Sequence, residues 1–281
     1  MHLMLCERDM ISANDFEYMG VGIERRFARC ASWWAPHLAC TRDFVARHSE
    51  RVSSVAVLGA GRLLDLDLNR LLATCEIVHL FDADPGCVAS WRKKAGNLFA
   101  KRVIPHVGDI TESLEAWTRG LSKVRRGAEL AQYLGSLKPS MAELPARYDG
   151  VISLNLLGQI PLYWRDRVQT RISEMDSASG EALMHSMGAL QEAHLELVRQ
   201  SAASWSIIIS DTEYYFYDID RTEWRVEPAL FSGAARAWTT TAEKAPPVVN
   251  DSWLWHIAPQ LIESEEEGEI HRVEARLYRY F

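Results

Sequence analysis

The stretch Val55-Ala56-Val57-Leu58-Gly59-Ala60-Gly61-Arg62-Leu63-Leu64-Asp65 decides how this chain is read. Its apolar start predicts a buried strand, and the strand breaks into Gly-x-Gly. Neither glycine carries a Cβ, so the backbone can turn tightly there and admit a bulky polar ligand. An apolar strand ending in such a loop commonly holds a nucleotide. A dinucleotide fingerprint would run Gly-x-Gly-x-x-Gly, its third glycine letting the next helix pack close to the strand. That third position is Leu64 here.

Cys75-Glu76-Ile77-Val78-His79-Leu80-Phe81 predicts a second buried strand, which ends in Asp82-Ala83-Asp84-Pro85-Gly86. A carboxylate at a strand end can accept hydrogen bonds from the hydroxyls of a ribose, a role that suits Asp82. Asp84 is better placed to cap a helix that begins near Pro85 and runs to Ala100. A third strand, Arg102 to Val107, stops at Gly108-Asp109-Ile110, where Asp109 reads equally as an adenine partner or as a helix N-cap. A fourth, starting at Tyr148, ends in Asn155-Leu156-Leu157-Gly158-Gln159, and a fifth spans Ser204 to Glu213. Helical patterns at 65–73, 86–100, 111–134 and 162–203 lie between them. Alternating strands and helices predict an α/β fold with a mainly parallel, doubly wound sheet, which binds ligands outside the carboxyl ends of its strands. Gly59, Gly61, Asp82, Asp109 and Asn155 would share that rim.

On these residues the chain resembles the class I S-adenosylmethionine-dependent methyltransferases over roughly residues 52–281. The resemblance implies that Gly59, Ala60 and Gly61 cradle the amino-acid part of the cofactor and that Asp82, with Asp84 beside it, holds the ribose. It places Asp109 and Ile110 at the adenine, and Asn155 and Leu156 beside the sulfonium and the incoming acceptor. It implies seven strands, the last two an antiparallel hairpin. Ser252 to Pro259 and Glu269 to Phe281 fit that hairpin, joined by the acidic turn Glu263-Ser264-Glu265-Glu266-Glu267-Gly268. Val273, Ala275 and Leu277 alternate with Arg272, Glu274 and Arg276, which predicts a half-exposed strand. The chain departs from the family at Val57, where an acid is usual, and at Leu63, where a third glycine often stands.

Residues 1–50 precede the first strand and predict a helical extension or lid, broken at Pro36; 51–281 form the Rossmann-like domain, with 162–203 a helical insertion broken at Asp176 to Gly180. Trp33 and Trp34 diverge by about 100° on a helix, so at most one faces a site. Tyr18, Trp34, Gln159 and Tyr214 are the candidate substrate-binding residues. Asp211, Glu213 and His256 are the candidate bases, should the acceptor need to lose a proton. His185 and His194 lie nine apart rather than at the spacing of a helical metal pair, and no metal is expected.

A net charge of −7 disfavours phosphate backbones, so the expected partner is a small molecule and not nucleic acid. No apolar stretch approaches a membrane span. Cys6, Cys30, Cys40, Cys75 and Cys87 show neither disulfide nor zinc spacing, which predicts reduced thiols in a cytoplasm. The functional expectation is methyl transfer from S-adenosylmethionine to a small acceptor. The alternatives are a dinucleotide-dependent oxidoreductase, or a non-catalytic nucleotide- or partner-binding protein on the same fold.

Overall fold

The computed structural model describes residues 13–280 apart from 125–126, 173, 221–222, 232, 237 and 239–246. The strands are β1 (Val52–Leu58), β2 (Cys75–Asp82), β3 (Val103–Val107), β4 (Tyr148–Leu154), β5 (Ala202–Asp218), β6 (Glu223–Pro228), β7 (Val249–Ala258) and β8 (Gly268–Arg279). They form one sheet in the order β3-β2-β1-β4-β5-β8-β7, and β6 pairs with the outer half of β5. The first five run parallel, and β8 lies antiparallel to both β5 and β7. The helices are α1 (Ala13–His48), α2 (Leu68–Thr74), α3 (Cys87–Ala95), α4 (Phe99–Arg102), α5 (Glu112–Leu121), α6 (Gly127–Gly135), α7 (Leu156–Arg171) and α8 (Ser177–Ser201).

Strand alternation divides the core between the two faces of the sheet. Val55, Val57, Ile152, Leu154, Ile207 and Ile209 pack with Trp34, Phe44, Leu71 and Trp91 on one face. Ala56, Leu58, Val151 and Ile208 pack with Leu197 and Val198 on the other. Because β1 is covered on both sides, its inner residues form a continuous apolar run rather than an alternating one.

Several boundaries differ from the sequence reading. The sheet has one strand more than the seven expected, because Tyr214-Tyr215-Phe216-Tyr217 prolong β5 and pair with β6. Helix α1 continues through Pro36 and departs from helical geometry at Cys30 instead (φ −107°, ψ 15°). Two helices, α5 and α6, replace the single pattern at 111–134. Helix α2 starts late because Asp67 caps it, accepting from the Asn69 and Arg70 amides. The break in the insertion precedes Asp176, which caps α8 through the Ser179 amide (2.8 Å), so residues 177–180 form the first turn of that helix.

One buried charge cluster joins β5 to β8. His271 of β8 lies between Asp211 of β5 (Nδ1 to Oδ2, 3.2 Å) and Glu269 (Nε2 to Oε1, 2.9 Å). Burial opposes the charge on this imidazole, but the two carboxylates outweigh it and raise its pKa from 6.5 to about 9. A folded-state pKa above the unfolded value means that this stabilisation is complete below about pH 6.5 and is lost as the pH rises through about 9. His271→Gln leaves Asp211 buried without its cation and is expected to cost about 3 kcal/mol or more near neutral pH, a drop in melting temperature of roughly 6 °C or more. Between pH 6.5 and 9.5 the melting temperature of the wild type should fall more steeply than that of the variant. Parallel profiles from differential scanning calorimetry would rule this out.

Candidate functional site

The carboxyl end of β1 turns on residues with left-handed backbone. Gly59 has φ +72° and Gly61 φ +50°, and Leu63 adopts φ +56° although it is fully buried. A Cβ on Gly59 would lie 2.5 Å from Leu156 Cγ and 2.7 Å from the Leu154 carbonyl oxygen, whereas one on Gly61 would meet nothing within 4 Å. Gly59 is therefore fixed by contact as well as by conformation, and Gly61 opens onto free space. The loop's polar groups are used by its surroundings. The Gly59 and Ala60 amides donate to the Phe81 carbonyl, and the Gly61 amide donates to Asp82 Oδ2 (2.7 Å). Trp91 Nε1 donates to the Gly61 carbonyl (2.7 Å), Lys94 to that of Leu63, and Arg42 Nε to that of Leu64 (2.8 Å).

A cavity of about 250 Å³ lies against this loop. It is lined by Gly59, Ala60, Gly61, Asp82, Asp84, Asp109, Ile110, Asn155 and Leu156, all the residues expected at the cofactor. Gln159 and Trp34 line it as well. Trp34 is buried and donates its Nε1 to the Ile257 carbonyl (3.0 Å), while Trp33 is exposed. Tyr18 does not line the cavity and is 67% exposed. Tyr214 is buried outside it, with its hydroxyl donating to the Gly158 carbonyl (3.4 Å).

The three candidate bases also lie outside the lining. Asp211 is engaged with His271. Glu213 accepts from the Tyr215 hydroxyl and from Arg272, and His256 packs against the ring of Trp33 (5.6 Å between centroids). The sequence reading missed Asp65, Trp255 and Ile257, together with Tyr163 of α7 and the inner side of α1 at Phe16, Met19 and Ile23. Period-two alternation along β7 would have paired Trp255 with Ile257 on one face.

The part of the cavity near the loop is acidic. Asp82 accepts from the Gly61 and Asp84 amides, and burial raises its carboxyl above the usual range against the pull of those two bonds. Asp84 closes the turn ahead of α3 through the Gly86 amide (2.7 Å) and pairs with Arg62 (3.0 Å). Asp109 lines the cavity and accepts from the Thr111 amide (2.8 Å), but it does not cap α5, whose N-cap is Thr111 itself; burial raises its carboxyl too. Asp65 accepts from Asn155 Nδ2 (2.9 Å); burial raises it from 3.8 to about 6, against Arg42 and that hydrogen bond. Such a wall suits a ligand rich in hydrogen-bond donors or positive charge. Arg26 and Arg62 line the cavity as well, Arg62 paired with Asp84 and Glu24, and Arg26 with Glu263.

A glycine loop ends β1, acids end β2 and follow β3, and an antiparallel pair closes a parallel sheet in the order described. This is a Rossmann-like α/β fold with a mainly parallel mixed sheet. Comparison with protein-family models gave no match, and neither did comparison with curated proteins. Among solved structures the chain is similar to PH1948 of Pyrococcus horikoshii, described as a candidate RNA methyltransferase (12% identity, 89% of this chain and 90% of that one, TM-score 0.45). It is also similar to DhpI in its SAM–HEP complex (13% identity, 96% and 99%, TM-score 0.40). A third is the C-terminal domain of precorrin-6Y C5,15-methyltransferase from Rhodobacter capsulatus (11% identity, 87% and 89%, TM-score 0.38).

Among the described residues no group of three or more His, Cys, Asp or Glu is placed to hold a metal, and no helix is long and apolar enough to cross a membrane. His194 is buried against Ser153 Oγ (2.8 Å), and His185 is exposed.

The two loop glycines should respond differently to alanine. Gly61→Ala meets only the left-handed backbone cost, about 1 to 2 kcal/mol. Gly59→Ala adds the collision with Leu154 and Leu156 and is expected to cost at least twice as much. Urea denaturation of the two variants measures the difference, and equal losses would show that the close approach at Gly59 carries no cost.

Proposed function

We propose that the chain is an S-adenosylmethionine-dependent methyltransferase acting on a small, largely apolar acceptor. The observation that carries this reading is the acidic wall of Asp65, Asp82, Asp84 and Asp109 around a glycine loop. Of the polar groups of S-adenosylmethionine, the ribose hydroxyls, adenine amino group, ammonium and sulfonium are donors or cations that suit that wall, and the α-carboxylate is its one anion. When bound, it supplies a methyl group already activated on sulfur. Gly59 to Gly61 leave room for the ligand, Asp82 retains lone pairs for ribose hydroxyls, and Asp109 with Ile110 faces the adenine. Asn155 and Leu156 flank the reacting end.

The rest of the cavity supports the acceptor class. Trp34, Trp255, Ile257, Ile160 and Tyr163 give it an apolar and aromatic wall, and α1 covers it with Phe16, Met19 and Ile23. A space roofed in this way favours a small molecule, as does the net charge of −7. The chain's own contribution is to hold two reactants in line and exclude water. Because Asp211, Glu213 and His256 lie outside the lining, they are not assigned to proton transfer. Free thiols at Cys30, Cys40, Cys75 and Cys87 support the cytoplasmic setting. The acidic wall and Leu64 both weigh against a dinucleotide-dependent oxidoreductase.

Calorimetric titration with S-adenosylhomocysteine should give saturable binding, with no comparable response to NAD or NADP. The reverse preference would overturn the cofactor reading. Asp82→Asn keeps an acceptor for one backbone amide and removes the charge, so binding should weaken by about 1.5 to 3 kcal/mol. Transfer of labelled methyl to a panel of small phenols, amines, thiols and carboxylates then separates an enzyme from a binding protein.

A further inference from the structure

The first half of α1 turns one face to the cavity. Phe16, Met19, Ile23 and Arg26 line it, and their order along the chain follows the repeat of a single helix face, so Arg26 ends an otherwise apolar stripe with a cation. Arg26 Nε donates to Glu263 Oε2 (3.2 Å). That carboxylate is already held by Arg29, whose Nε meets Oε1 (2.6 Å) and whose terminal nitrogen meets Oε2 (3.0 Å). One carboxylate therefore serves two guanidinium groups. Among the described residues the two terminal nitrogens of Arg26 have no hydrogen-bond acceptor, and its side chain is 43% exposed and so remains reachable.

Glu263 follows β7, the edge strand at the opposite end of the sheet from β3 and β2. One turn beyond Arg26, Cys30 also donates to Glu263 (3.6 Å). A further turn on, Trp34 lines the cavity and donates to the Ile257 carbonyl of β7 (3.0 Å). Arg26 thus stands beside the wall of Trp34, Trp255 and Ile257, away from the carboxylates that end β2 and follow β3. The other cation of the lining, Arg62, is committed to Asp84 (3.0 Å) and Glu24 (3.3 Å) at the acidic wall. Glu269 of β8 is held by His271 (2.9 Å).

We infer that Arg26 seats one anionic group, a carboxylate or a similar oxyanion, on the acceptor. The inference rests on the proposed function and narrows its acceptor class to an apolar small molecule with a single acid group. A guanidinium with two free terminal nitrogens offers the parallel donors that an oxyanion takes, and an apolar wall beside it strengthens the bond. A neutral acceptor would gain nothing from this cation, and a cationic one would be repelled. Arg26 lies before the bend at Cys30, so the roof selects the acceptor by charge, while the strand ends position the reacting atoms.

The test is calorimetric titration of the full chain, saturated with S-adenosylhomocysteine, with benzoate, phenylacetate and 3-phenylpropionate, each against its neutral primary amide. The wild type should bind at least one carboxylate about fivefold or more tighter than its amide. Arg26→Gln should bind the amides as the wild type does and lose the preference to within about twofold; Arg26→Met serves if the first variant fails to fold. S-adenosylhomocysteine itself should bind Arg26→Gln within about twofold of the wild type. A wild type that prefers no carboxylate of the series, or a preference that survives in the variant, overturns the anion seat and leaves the cofactor reading standing. Weakened binding of S-adenosylhomocysteine to the variant, equal to the loss for the carboxylates, puts the cofactor's own carboxylate at Arg26 and overturns the assignment to the acceptor. If the wild type does not bind S-adenosylhomocysteine, the cofactor reading falls, and the same titrations on the chain alone decide the seat by the same criteria.

Discussion

The Asp82 carboxylate ties the site together. It ends β2, and its two oxygens take the backbone amides of Gly61 and Asp84, so one side chain sets the course of the loops after both β1 and β2. Burying a carboxylate is costly, and its pKa rises accordingly, but two aimed amides offset part of that cost. With the Gly61 amide held there, the loop's carbonyls are met by Trp91, Lys94 and Arg42. Leu63 is then carried into the core in a left-handed conformation that a leucine adopts only when its surroundings hold it there.

The roof of the cavity is held by different forces from its floor. Past the bend at Cys30, α1 buries Trp34, Leu38, Phe44 and Val45 in the main core. Before the bend it crosses the cavity, and contacts there are mostly ionic: Asp15 with Arg167 (3.3 Å), Glu24 with Arg62 (3.3 Å), and Arg26 and Arg29 with Glu263 (3.2 and 2.6 Å). Pairs near the surface are each worth little. The closest approach is at Gly20, where a Cβ would lie 2.0 Å from Asp84 Oδ2, so this turn of helix rests almost directly on the acidic wall. The floor is fixed by apolar burial, and the roof by several weak contacts.

Much of this was legible in the sequence, because parallel strands covered on both faces leave apolar runs that end sharply in glycine or acid. That pattern located the rim and its lining from Gly59 to Leu156. Side chains that reach the site from distant parts of the chain were harder to find. Asp65 read as the start of a helix, whereas Asp67 is the residue that caps it. His256 was chosen for its chemistry, yet Trp255 and Ile257 on either side of it line the cavity. The aromatic run at Tyr214 to Tyr217 has no polar alternation to show which face is buried, and so its pairing with β6 went unread.

The charge distribution gives the cavity a direction. Its four carboxylates lie at the ends of β1 and β2 and after β3, while the apolar wall comes from α1, α7 and β7. A molecule with hydroxyls and cationic groups gains little from the second wall, and an apolar one would leave the carboxylates of the first without donors. On the proposed function this difference places cofactor and acceptor in separate halves of one cavity. They meet at Asn155, Leu156 and Gln159, where β4 turns into α7. Orientation of the two reactants is then set by the strand ends and the α7 start, elements built into the core, rather than by the weakly attached roof.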